Sequence, residues 1–178
     1  MPGWFKKRSD NPARNSPNSS PDEVYSALRN QAFSTNRADN GISAPSPAAP
    51  GWGILMETGY EVATATLFAL IDGTTSLYFS NGGGMLGGQG HEAVRKANAA
   101  FINEANRSLQ HLKRCEAFPL PEAGYTIFYV LTDSSVVTGS APEDDLGYGR
   151  HPLSTLFHAG HEVISQLRLI SEAAEKDA

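Results

Sequence analysis

Apolar positions along the chain follow two different periods. From His91 to Cys115, Val94, Ala97, Phe101, Ala105, Leu109 and Leu112 recur at helical spacing. The pattern predicts one long helix, closed by Lys113 and Arg114 where cations suit its dipole. A second stripe, Leu156, Phe157, Gly160, Val163, Ile164, Leu167 and Ile170, predicts a helix from Leu153 to about Ala174. Gly160 lies inside that stripe. A mid-helix glycine costs about 1 kcal/mol against alanine, so its presence is read as permitting close approach to a sheet.

Elsewhere the period is two. Trp52–Thr58, Val62–Ile71 and Ser76–Phe79 read as strands, with Asp72-Gly73 as a type I′ hairpin signal between the last two. Both faces of Val62–Ile71 are apolar, so it is expected to be the central, covered strand of an antiparallel meander. Tyr125–Leu131 reads as a fourth strand and Ser135–Thr138 as a short fifth. Strands and helices together predict an α+β fold with a five-stranded, mainly antiparallel sheet, in the order three-strand meander, helix, hairpin, helix. This is similar in general architecture to profilin-like and longin-like platforms, although three strands precede the first long helix here.

Upstream, Ser20-Pro21-Asp22-Glu23 carries the signature of a capping box with proline at the first helical position. Val24, Tyr25, Leu28, Ala32 and Phe33 then share one face of a helical arm, spanning 20–36. Residues 37–50 contain Gly41, Pro45, Pro47 and Pro50 and read as a linker, leaving 51–175 as the α+β domain. Residues 1–19 hold Trp4 and Phe5 and then little but polar residues and proline, the composition of a disordered tail.

Charge divides the chain. Lys6, Lys7, Arg8 and Arg14 against Asp10 give the first 19 residues +3, so with −5 overall the remainder carries −8. An acidic body argues against nucleic acid as a partner. The apolar run within Val62–Ile71 is too short to span a bilayer, so no transmembrane segment is expected. Cys115 is the only cysteine, which rules out an intramolecular disulfide and suits a reducing, cytoplasmic location.

Three places invite chemistry. Six of the nine residues from Gly82 to Gly90 are glycine, and the loop leads into a helix N-terminus, where free backbone N–H groups can take an anion. Gly82, Gly84, Gly87, Gly88, Gly90 and His91 are the candidate ligand-binding residues. Gly82-x-Gly84-x-x-Gly87 matches the dinucleotide fingerprint as a string, but its context does not: no parallel strand follows at the right distance. His158 and His161 stand at i, i+3 and are the candidate metal ligands, without cysteine companions and outside the HExxH pattern. Ser140–Pro152 is an acidic loop in which Ser140 is placed to cap a helical turn and Arg150 to pair with one of Glu143, Asp144 or Asp145. It is placed either on its own or as a lid over the glycines. No nucleophile elbow is present, and Cys115, beside Lys113 and Arg114, has no base near it in sequence.

No convergent catalytic set emerges, and no cofactor is expected. The leading expectation is a small non-catalytic cytoplasmic binding or scaffold protein, engaging a protein partner or a second copy of itself. Trp4, Phe5, Lys6, Lys7 and Arg8 are its candidate partner-binding residues, with weak peripheral membrane contact through the same tail as the other use of an aromatic–basic run. The alternative is a ligand-binding or enzymatic domain that uses residues 82–90 as an anion or nucleotide site.

Overall fold

The computed structural model describes residues 20–176, so Trp4–Arg8 lie outside the described residues. Helix α1 (Pro21–Phe33) is followed by β1 (Gly53–Gly59), β2 (Thr64–Leu70), β3 (Thr75–Phe79) and β4 (Gly84–Leu86). Next come α2 (Glu92–Arg107), β5 (Lys113–Cys115), β6 (Tyr125–Leu131), β7 (Val136–Pro142), α3 (Glu143–Gly147) and α4 (Ser154–Lys176). Among the described residues the strands form one antiparallel sheet of order β4-β3-β2-β1-β6-β7-β5. Helices cover both faces, which makes three layers.

Strand residues alternate between the layers. Ile54, Met56, Leu67, Ala69, Leu77, Phe128 and Val130 face α2 and α4 and bury Phe101, Leu156 and Val163 with them. Leu55, Phe68, Leu70, Tyr78, Tyr129 and Leu131 face the other way, under Tyr25 and Ala32 of α1. The arm is thus a layer of the structure. Its capping box forms: Ser20 Oγ accepts from the Glu23 amide at 3.3 Å and Glu23 Oε2 from the Ser20 amide at 2.8 Å. After α1, the Arg37 guanidinium pairs with Asp133 at 2.6 Å and Ile42 is buried in the same core as α1.

The sheet has seven strands rather than five. One extra strand, β4, comes from inside the glycine-rich loop. The other, β5, comes from the expected end of the long helix, which stops at Arg107. Lys113 and Arg114 therefore pair with Thr138 and Val137 and do not close a helix. The middle strand is β1, hydrogen-bonded to β2 on one side and β6 on the other. Val62 falls outside β2 and is 82 % exposed, in the turn between β1 and β2.

The Asp72-Gly73 hairpin forms, but not as type I′, which needs positive φ at both central residues. Only Gly73 has it, at 91°, and the Leu70 amide bonds to Thr74 O across a three-residue loop. Asp72 Oδ1 accepts from the Thr74 amide at 2.9 Å and fixes that turn. Gly160 packs as its position in the stripe implied: a Cβ there would stand 2.6 Å from Met56 Sδ on the sheet.

Candidate functional site

The glycine-rich segment spends most of its special geometry on the hairpin between β3 and β4. Gly82 and Gly83 make the turn, with the Gly82 amide donating to Phe79 O and the Phe79 amide to Gly83 O. Gly84, at φ 151°, leaves no room for a Cβ, which would run into the Leu77 carbonyl oxygen and Tyr78. The Gly87 amide bonds to Thr75 O, and Gly88 is sealed under Leu167 and Val94. Gly90 and His91 are exposed, and α2 begins without a side-chain cap on its N-terminus. The cation nearest in sequence, Arg95, is engaged with Gln89 O at 2.9 Å. Gly82 and Gly83 line a recess of about 280 Å³ with Val24, Tyr25, Leu28 and Phe79, whose walls are mainly apolar.

Under α1 lies a buried polar network that the sequence reading missed. Glu57, on the central strand and wholly buried, receives two hydrogen bonds from Arg29, each 2.8 Å, and one from Thr66 at 3.0 Å. Arg29 also donates to Phe118 O at 2.8 Å. The Tyr25 hydroxyl meets Thr66 Oγ1 at 2.8 Å. Burial, reinforced by the negative charge of Glu57, pushes the Tyr25 and Tyr129 phenols up to about 12 and the Tyr78 phenol further in the same direction. These groups are walled off by α1, so the network fastens the helix rather than facing a substrate.

The described surface offers a different concentration of groups at the end of the sheet where β1 passes into β2. Three of the six tyrosines are buried on the α1 face. The other three, Tyr60, Tyr125 and Tyr148, each follow a glycine and are 43, 43 and 74 % exposed. The backbone brings them to one end: the Gly124 amide donates to Gly59 O, and the Glu143 amide to Gly124 O. Val62 and Leu120 are exposed beside them, on the β1–β2 turn and on the loop whose Pro121 and Glu122 carbonyls crowd Gly59. Five of the eight large exposed apolar or aromatic side chains of the described chain thus collect here. Scattered singly, such residues would need no account; a contiguous group does.

Acids surround the tyrosines. Glu61 and Glu122 stand on these turns and Glu143, Asp144 and Asp145 on α3, with Arg150 as the only lysine or arginine beside them. Arg150 pairs with Asp145 at 3.0 Å and lays its guanidinium 4.8 Å above the Tyr148 ring, as anticipated for the pairing but not for the stacking. Glu143, Asp144 and Tyr148 border a cleft of about 510 Å³ that reaches Phe157 and His161 of α4. Burial, and next the charge of Asp144, raise the Glu143 carboxyl above its ordinary value, while a hydrogen bond from Tyr60 pulls it partly back. Burial, and next His158, lower the His161 imidazole.

The two candidate metal ligands diverge in environment: His158 is exposed, whereas His161 lies 4.3 Å from the Phe157 ring. Among the described residues no three His, Cys, Asp or Glu side chains gather as a metal would need. Ser140 does not cap α3, whose N-cap is Pro142 without a side-chain hydrogen bond, because Ser140 belongs to β7. Gly82 and Gly83 turn between β3 and β4, whereas the acidic segment follows β7, four strands away from β3 across the sheet, so it does not close over Gly82 or Gly83. The Cys115 thiol is raised by burial rather than lowered by its cationic neighbours, and donates to Val136 O at 3.6 Å. No described helix is long and apolar enough to cross a membrane.

The chain matches no family model, no curated protein and no solved structure. The signal that would have found the tyrosine end is local: three Gly-Tyr dipeptides in polar turns.

Proposed function

We propose that the protein is a small non-catalytic cytoplasmic binding or scaffold protein whose working surface is the tyrosine-and-acid end of the sheet, and that it takes cationic peptide segments. The placement of Arg150 carries this reading. One guanidinium already lies over Tyr148 with its charge on Asp145, while Tyr60, Tyr125, Glu143 and Asp144 offer neighbouring positions of the same chemistry. Tyrosine gives large contact area at small entropic cost, and the acids steer a basic partner.

Thermal-shift and titration measurements on the full chain test it. A peptide combining arginine or lysine with an aromatic residue should bind saturably, more weakly as salt rises, and be lost with Tyr148→Ala plus Asp144→Lys. The rival reading, an anion or nucleotide site at residues 82–90, predicts a saturable nucleotide shift abolished by Gly87→Val. A nucleotide at 100 times its dissociation constant would add about 2.7 kcal/mol of stability. That outcome, with no response to cationic peptides, overturns the proposal.

A further inference from the structure

We infer that the chain's own N-terminal segment, Trp4–Arg8, occupies the tyrosine end in cis and competes there with outside partners. The inference rests on reading that end as the working surface. The described chain starts beside it. Pro21, at the first turn of α1, shares a recess of about 320 Å³ with Asp22, Val62, Ser80 and Asn81. Val62 lies in the same turn as Tyr60, and the Tyr60 hydroxyl bonds to Glu143 at the mouth of the larger cleft.

Length permits the contact. Eleven residues separate Arg8 from Ser20, and a chain of that length reaches at most about 36–40 Å. From β2 to β7 the end of the sheet crosses β1 and β6, three inter-strand spacings or roughly 14–15 Å. The segment therefore reaches from β2 across to β7 with slack remaining.

Composition matches as well. Trp4 and Phe5 are large apolar side chains, and the end assigned to them exposes Val62, Leu120 and the tyrosine rings. Lys6, Lys7 and Arg8 follow directly, and the end they meet carries five carboxylates against one guanidinium. A tether this short sets an effective concentration in the millimolar range. A contact too weak to notice between separate molecules is then populated within one.

Competition follows from mass action: a partner binds only the fraction of molecules whose end is free. Reversing the three charges of the segment should tighten the binding of a cationic partner peptide about twofold or more.

The test compares backbone amide spectra of the full chain with those of its Lys6→Glu/Lys7→Glu/Arg8→Glu variant, each at several dilutions. The expected result is a set of differences at Tyr60, Glu61, Glu122, Tyr125 and Glu143–Tyr148, unchanged on dilution. A synthetic peptide of residues 1–19, added to the variant at millimolar concentration to match the tethered segment, should move the same amides. Identical spectra, or differences at another surface, overturn the inference. Differences that fade on dilution show docking on a second copy and also overturn it. A scrambled peptide of the same composition separates the two claims. If it shifts these amides while wild type and variant coincide, the surface binds cations and the cis contact fails. If neither peptide binds, both readings fall. The substitutions lie outside the described fold, and the dispersion of the spectra reports whether the variant is folded.

Discussion

Arg29 of α1 and Glu57 of β1 face each other as a two-pronged ion pair, both N···O distances 2.8 Å, with the Glu57 side chain wholly excluded from water. The helix is therefore fastened to the centre of the sheet by a charge that, among the described residues, pairs with Arg29 alone. Arg29→Met should cost about 3–5 kcal/mol by leaving that carboxylate uncompensated. Arg29→Met combined with Glu57→Leu should recover most of the loss, since a well-packed apolar pair often replaces a buried ion pair at no cost. Urea denaturation of the two single variants and the double variant closes the cycle; additive losses would show that the pair is not coupled.

The glycines between β3 and α2 should sort by geometry. Gly84→Ala should cost about 2 kcal/mol or more, because φ is 151° and the new methyl meets backbone. Gly83→Ala, at φ 82° in open space, should cost about 1 kcal/mol from strain alone. Gly90→Ala has neither handicap and should be neutral or slightly stabilising. Melting temperatures of the three variants check the order.

At Gly160 two effects oppose each other. Alanine gains about 1 kcal/mol of helix propensity, but its Cβ displaces the flexible thioether of Met56, and Phe101 lies only 3.1 Å away. Gly160→Ala should fall within about 1 kcal/mol of wild type. Gly160→Leu overpacks the contact and should lose about 1–3 kcal/mol or more. A fully tolerated leucine would mean that α4 does not sit this close to β1.

The cleft between α3 and α4 makes stability depend on pH through two groups of opposite sign. Glu143 titrates above its ordinary value in the folded chain, so its contribution is present below the unfolded-state value, about 4.3, and is lost as pH rises through the folded one. Glu143→Gln should therefore stabilise at neutral pH, by only about a few tenths of a kcal/mol because water still screens the site, and the gain should vanish in acid. His161 titrates low, so its contribution is present above about 6.5 and is lost as pH falls through the folded value. His161→Gln should flatten the melting-temperature profile below that point. A Glu143→Gln gain that grows in acid would contradict the first sign.

Elements whose cause is local were legible in the sequence: the capping box at Ser20, strand β6, and α4 with its glycine in the stripe. The three-residue strands β4 and β5 were not, because each exists only where a longer neighbour, β3 or β7, offers an edge. Thus Lys113–Cys115 read as the tail of a helix until Val136–Thr138 pairs with it. Glu57 falls inside the Trp52–Thr58 strand pattern and Arg29 inside the helical arm, but nothing in either pattern marks them as partners. Only tertiary packing shows that they meet. The tyrosine end is hidden for the same reason, since three turns 88 residues apart in sequence at their extremes, Tyr60 and Tyr148, become neighbours through the sheet.

The pairing of β1 with β6 imposes an order on synthesis. β1 is buried along its whole length, yet one of its two edges is completed only by residues 125–131, about 70 residues downstream. At translation rates of 5–20 residues per second, that interval lasts roughly 4 to 14 s. Through it, the nascent meander carries a bare, apolar edge strand, and α1 has already emerged with an arginine matched to Glu57. Early docking of α1 would cover one face of the half-built sheet but not its open edge. The period of greatest exposure to aggregation and to chaperones therefore closes when β6 leaves the ribosome, not when the first hairpins form.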